Sequence, residues 1–218
     1  MNLVSTKLAN SGLIIIEVPD HESSMLNLDY ALWEEHVNYF TLSSLENLLI
    51  KHNFKIIYYE YVLFSGKTLR VIAEKRKSKK TYLENINAIK KYKKCFKLLK
   101  QKIHLTLNKK KFLVYGAGAR SQNFINLLEL DKIKFFYDDN HHKIGKFVPG
   151  YNVKIKKFKK HELKEVDYVL LGVNTENENL IINKLTSPSI FKKKSIKYFS
   201  ILPPSLNLPP FWKKLINS

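Results

Sequence analysis

Phe112-Leu113-Val114-Tyr115-Gly116-Ala117-Gly118-Ala119-Arg120 reads as a short apolar strand running into a turn of small residues. A helical pattern from Ser121 to about Leu130 follows, then a second strand, Ile133 to Tyr137, that ends in Asp138-Asp139. A third strand, Tyr168 to Val173, precedes the helix Glu176 to Leu185 and a last strand, Ser195 to Ile201. Strands alternating with helices in this way predict an α/β, Rossmann-like domain, with its ligand crevice outside the carboxyl ends of parallel strands.

The turn itself carries chemistry. Backbone N–H groups exposed at a helix N-terminus suit a phosphate, and Arg120 adds charge beside them. Tyr115, Gly116, Gly118, Arg120 and Asp138 are therefore candidate substrate-binding residues. Ser121 stands where the full dinucleotide fingerprint has its third glycine, so Gly116-x-Gly118 is incomplete as a nicotinamide signature. The competing reading is that these glycines only let strand and helix pack closely.

Toward the N-terminus, Gly12-Leu13-Ile14-Ile15-Ile16-Glu17-Val18-Pro19-Asp20 reads as a buried strand whose end turns toward a crevice. Beyond it, Leu32-Trp33-Glu34-Glu35-His36-Val37-Asn38-Tyr39-Phe40 sets a carboxylate beside a histidine. The segment Leu42 to His52 follows, with Leu45, Leu48 and Leu49 at helical spacing and Thr41 as its N-cap. A Glu-His pair at a helix entrance can move a proton, and it can equally be a capping or surface feature. Two further strands, Lys55 to Leu63 and Thr68 to Glu74, are joined by a turn at Ser65-Gly66.

These segments resemble the later half of the sugar C-methyltransferase group of S-adenosylmethionine-dependent class I methyltransferases. In that group the fifth strand follows a glycine, the elbow reads Tyr-His-Glu-His before a Tyr-Phe pair, and a Gly-containing turn leads into a strand with Leu-Arg. Glu35, His36, Tyr39, Phe40, Gly66, Leu69 and Arg70 match, whereas Trp33 and Glu34 depart from the usual Tyr and His. The C-terminal part continues the likeness through the Tyr-Gly-Ala opening at Tyr115, Lys143-Ile144-Gly145, Pro149-Gly150 and Asp167 to Leu170. By this resemblance His36 is the general base that removes a proton from a sugar, and Glu35 orients the sugar or the base. Tyr39 and Arg70 belong to the substrate site, and the ligand is a nucleotide-linked sugar. Similar Gly-Ala-Gly turns also occur in sugar-nucleotide-binding domains of acetyltransferases.

The resemblance implies S-adenosylmethionine as cofactor, yet the usual Gly-rich cofactor loop is missing: before residue 112, Gly12 and Gly66 stand singly. The group's N-terminal zinc module is missing too, because Cys95 is the only cysteine and a structural zinc site wants about four N/S ligands. The expected architecture is thus a partial class I methyltransferase sheet followed by a Rossmann-like domain, inactive without its cofactor-binding half. Leu13 to Val18 would then be left on a sheet edge, open to a separately encoded half or to a second copy. The alternatives are a non-catalytic sugar-nucleotide-binding protein and a basic nucleic-acid-binding protein.

Composition narrows these. With 44% apolar and 12% aromatic residues in 218, the chain can build real cores. No apolar run reaches the roughly 18 to 20 residues of a membrane span, and no cationic leader precedes an apolar stretch, so a cytoplasmic location is expected. One cysteine rules out an internal disulfide framework. The net charge of +19 comes from lysines in runs such as Lys90 to Lys100 and Lys154 to Lys160. These runs lack the Arg and Gly interleaving of RNA-binding segments, which argues against nucleic acid and for an anionic small ligand. The chain divides into residues 1–77, a helical connector 78–106, the Rossmann-like domain 107–202 and a tail 203–218. In the connector Tyr82, Ile86, Ile89, Tyr92, Phe96, Leu99 and Ile103 recur every three or four residues and predict one long amphipathic helix. The paired prolines Pro203-Pro204 and Pro209-Pro210 exclude a helix in the tail, whose Phe211 and Trp212 dock on the protein.

Overall fold

The computed structural model describes residues 1–29, 36–64, 66–130, 132–187 and 196–218. The chain forms two compact units: Met1–Leu26 with Trp33–Tyr92, and Asn27–Leu32 with Lys93–Ser218.

The first unit contains α1 (Asn2–Lys7), β1 (Leu13–Pro19), α2 (His21–Leu26), α3 (Leu42–Lys51), β2 (Phe54–Leu63) and β3 (Lys67–Lys75). Its sheet has the order β1-β3-β2, antiparallel throughout. In the register Ile14, Ile16 and Val18 face the partners Ala73, Val71 and Leu69, so one face is apolar along all three strands. Against that face α3 sets Leu42, Leu45 and Leu49, all buried. The helix starts where it does because Thr41 and Ser44 form a capping box, satisfying N–H groups that the first turn leaves open.

The opposite face is different. Leu13, Ile15 and Tyr58 are more than half or about half exposed (55%, 68% and 50%). Across the three strands Arg70 reaches Glu17 and Glu60, forming one charged row. The expectation that β1 is buried is therefore corrected. It is an edge strand with no fully buried residue, since period-two alternation sends only every second side chain toward α3.

The connector is not one helix from residue 78. Glu46, itself buried, accepts the N–H groups of Thr81 and Tyr82 at 2.8 to 3.0 Å and holds that stretch outside any helix. Helix α4 (Ile86–Leu107) begins only after Asn85, whose side-chain oxygen accepts the Ala88 N–H. Its buried positions are Ala88, Cys95, Leu99, Ile103 and Leu107, and Ile86 is 60% exposed, so the apolar stripe begins later and includes the cysteine.

The second unit is a five-stranded parallel sheet, order β6-β5-β4-β7-β8. It is built from β4 (Phe112–Tyr115), α5 (Ala119–Leu128), β5 (Ile133–Tyr137), β6 (Ile155–Lys156), the 3-10 turn Lys160–Glu165, β7 (Tyr168–Leu171), α6 (Thr175–Thr186) and β8 (Lys197–Ser200). This is the α/β, Rossmann-like domain. Leu113, Tyr115, Phe135, Tyr137, Val169 and Leu171 share a core with Ile181 and Leu185 of α6. Residues of opposite parity, Phe112, Val114, Phe136 and Leu170, are buried as well, as a sheet packed on both faces requires. The tail contradicts the exclusion of a helix: α7 (Pro210–Ile216) starts on Pro210, a position where a missing N–H costs nothing because the first turn has no acceptor for it. Trp212 is fully buried, stacks on Phe124 at 5.3 Å and donates its indole N–H to the Asn27 carbonyl.

Candidate functional site

In the second unit the strand order reverses between β4 and β7, since the chain goes from β4 outward to β5 and β6 and then returns to β7 and β8 on the other side. The turns leaving β4 and β7 therefore flank the crevice where such sheets bind ligands. Gly116 and Gly172 lie back to back there. Gly116 has φ +105, and a Cβ on it would come within 2.4 Å of the Gly172 carbonyl oxygen, so this glycine is demanded by packing. Gly118 differs: its φ is ordinary, and a Cβ would meet nothing within 4 Å. It caps α5 without a side-chain hydrogen bond, and of the first-turn residues Ala119 is exposed while Arg120 and Ser121 are buried. The close-packing reading thus accounts for Gly116, and Gly118 is the position with room in front of it.

Asp138 closes the turn from the side. Its carboxylate accepts the Ala117 N–H at 2.8 Å, the Asn140 N–H at 2.8 Å and Lys143 Nζ at 3.1 Å. Of about four lone-pair positions on a carboxylate, three are used. Tyr115 is buried at the ring, and its hydroxyl donates to Asp139 at 3.0 Å and accepts from Lys184 at 2.5 Å. Burial, and then the Asp139 carboxylate, push the Tyr115 hydroxyl well above the usual tyrosine range. Tyr137, bonded to Glu162, is raised for the same two reasons.

Arg120 does not present its charge to the turn. Its guanidinium is 7% exposed, pairs with Asp29 at 2.6 Å and also donates to the Pro203 carbonyl at 2.5 Å. An arginine this buried needs a counter-charge more than a ligand does, and Asp29 supplies it. The charge expected beside the turn is thereby corrected to an internal ion pair.

In the first unit His36 belongs to a small aromatic group. Its ring lies 5.9 Å from that of Tyr39, which lies 4.8 Å from that of His21. The His21 N–H donates to the Phe40 carbonyl, and Asp20 bridges Phe40, so the end of β1 and the segment after residue 36 run side by side. Glu35, with the rest of 30–35, lies outside the described residues. Arg70 is held by Glu17 and Glu60 on the open sheet face, and those hydrogen bonds raise its already high pKa.

Several partners had no local signal. Asp29 with Arg120 and Lys184 with Tyr115 are 91 and 69 residues apart, so no spacing rule brings them together. Asp20 and His21 do carry one, as an acid and a histidine directly after a strand. Among the described residues no group of three or more His, Cys, Asp or Glu is placed to hold a metal ion.

The fold and the crevice define an α/β, Rossmann-like domain, and sequence comparison places the chain in a family. The chain belongs to the C-methyltransferase C-terminal domain family, whose model matches residues 66–195. No curated protein matches it. Among solved structures, the crystal structure of UDP-D-quinovosamine 4-dehydrogenase from Vibrio fischeri is similar at 24% identity, covering 50% of this chain and 84% of that one, with a TM-score of 0.34.

The family implies S-adenosylmethionine as methyl donor. The first unit does not fit it: its described sheet is three antiparallel strands, and neither Gly12 nor Gly66 opens a Gly-rich turn into a helix after a strand. No helix among the described residues is long and apolar enough to cross a membrane.

Proposed function

We propose that this chain serves the C-methylation of a nucleotide-linked sugar, with a phosphate-binding turn in its Rossmann-like unit and, by the family motif, His36 of its first unit as a base. The observation that carries the reading is the family match over 66–195, which spans both β3 and the whole β4–α6 crevice. The room in front of Gly118 and the first-turn N–H groups of α5 support a phosphate there. Asp138 lies beside the turn through its bond to the Ala117 N–H and keeps one lone-pair position for a hydroxyl. Carbon must lose a proton before it accepts a methyl group, and a histidine suits that at neutral pH. Glu35, Tyr39 and Arg70 are assigned to the sugar or to the base by their match to the family motif.

The methyl donor is proposed to be held by a Gly-rich half outside these residues, on a partner or another segment, docking along the edge of β1. Calorimetric titration tests both parts. A uridine- or thymidine-linked sugar is expected to bind, and S-adenosylmethionine is expected to bind more weakly than about 10 μM, equivalent to −6.8 kcal/mol. Sugar-nucleotide binding without methyl transfer, even when a Gly-rich half is supplied, would favour a non-catalytic binding protein.

A further inference from the structure

Helix α4 carries a charge pattern that sugar methylation does not use. From Asn85 to Leu128 the chain holds ten lysines and no acidic residue. A helix face that needs only to be solvated gains from carboxylates set one turn away from its lysines, and a high lysine content does not by itself remove them. In α4 the lysines follow one another at helical spacing instead, Lys90 with Lys93 and Lys94, then Lys93 and Lys94 with Lys97. Like charges so placed destabilise a helix. Lys100 pairs with Glu129 at 3.1 Å, but among the described residues no ion pair is made by Lys90, Lys93, Lys94 or Lys97, all of them exposed.

Side chains on a helix advance by about 100° per residue, so Lys90, Lys94, Leu98 and Leu105 form one stripe, with Lys93 and Lys97 beside it. The stripe lies opposite Cys95, Leu99 and Ile103, which are buried. Leu98 and Leu105 are 39% and 75% exposed. With its 22 residues the helix is about 33 Å long, so it presents a straight line of ammonium groups with two leucines among them.

We propose that this face of α4 docks on an anionic lipid surface, with its lysines at the headgroups and Leu98 and Leu105 dipping into the interface. A lysine has an apolar stem and a charged head, so lysines around a leucine bury their stems with it and keep their amines at the phosphates. The charge complements such a surface, and the helix lies on it without crossing it. Nucleic acid fits less well. The exposed residues of α4 include no arginine to fork onto phosphates and no tyrosine, phenylalanine or tryptophan to stack on bases. Such docking is independent of the chemistry at His36.

The test is co-sedimentation of the full chain with vesicles of equal parts phosphatidylglycerol and phosphatidylcholine, and with vesicles of phosphatidylcholine alone. Binding is expected to the first and not to the second, and it should weaken as salt is raised. Each lysine near such a surface is worth about fivefold in partition, so Lys90→Gln, Lys94→Gln and Lys97→Gln together should lose roughly a hundredfold. Lys146→Gln, Lys157→Gln and Lys159→Gln remove the same charge from exposed positions elsewhere and should lose less than about threefold. Leu98→Gln with Leu105→Gln leaves the charge intact and should lose about tenfold. No wild-type binding to the anionic vesicles, equal binding to both kinds, or equal loss in the two lysine variants overturns the proposal. An unchanged leucine variant, or a wild type that binds single-stranded RNA more tightly than vesicles, overturns it as well.

Discussion

The two sheets of this chain obey opposite rules. The parallel sheet of the second unit is buried on both faces, with α6 on one side and Phe112, Val114 and Phe136 hidden on the other. The antiparallel sheet of the first unit is covered by α3 on one face, while the other shows Leu13, Ile15 and Tyr58 to solvent beside the Glu17–Arg70–Glu60 row. A self-sufficient core explains the first arrangement. The second leaves apolar area uncovered and, among the described residues, an edge at β1 that pairs only with β3.

Substitutions can break this contrast, and the largest effect is expected at the ion pair of the second unit. Asp29→Ala leaves the Arg120 guanidinium buried without its counter-charge and should cost about 3–5 kcal/mol, read from urea denaturation. Leu45→Ala, in the closed face of the first unit, should cost about 2–5 kcal/mol. Ile15→Ala, on the open face, should change stability by less than about 0.5 kcal/mol. A large loss at Ile15 would mean that the open face is already occupied in solution, as by a second copy.

Much of this contrast was legible in the sequence. The Val-Tyr-Gly-Ala-Gly turn and the strand-helix alternation after Phe112 predict the parallel sheet, because period and turn chemistry are local signals. The edge character of β1 was not, since Leu13-Ile14-Ile15-Ile16 reads as continuously apolar whether one face or both are covered. Nor was the start of α4: the helical spacing extends back to Tyr82, and only the distant Glu46 carboxylate takes the backbone donors there. Arg120 was legible as a charge but not as a spent one, because Asp29 is remote in sequence.

Smaller effects concern pH. The folded His21 has a lowered pKa, so the unfolded chain binds more protons just below the ordinary histidine value near 6.5. Stability should rise with pH through that window and be lost on acidification below it, and His21→Gln should flatten the slope. Tyr61 works in the other direction: raised to about 12, it stabilises the fold below about pH 10 and loses that contribution as pH climbs from about 10 toward 12. Tyr61→Phe should remove this alkaline loss, followed by thermal melts across the range.

The account turns on the crevice before α5, and one pair of glycines tests it most directly. Gly116→Val should destabilise the chain, because of its φ of +105 and the Gly172 carbonyl 2.4 Å from the added Cβ. Gly118→Val meets open space with its Cβ, so it should cost only the weaker N-cap preference of valine, about 1 kcal/mol, and leave the chain folded. The decisive measurement is calorimetric titration of a uridine- or thymidine-linked sugar into the wild type and Gly118→Val. The account predicts binding by the wild type and a loss of about tenfold or more, near 1.4 kcal/mol, in the folded variant. Equal affinity in the two proteins, or no binding by the wild type, would contradict it.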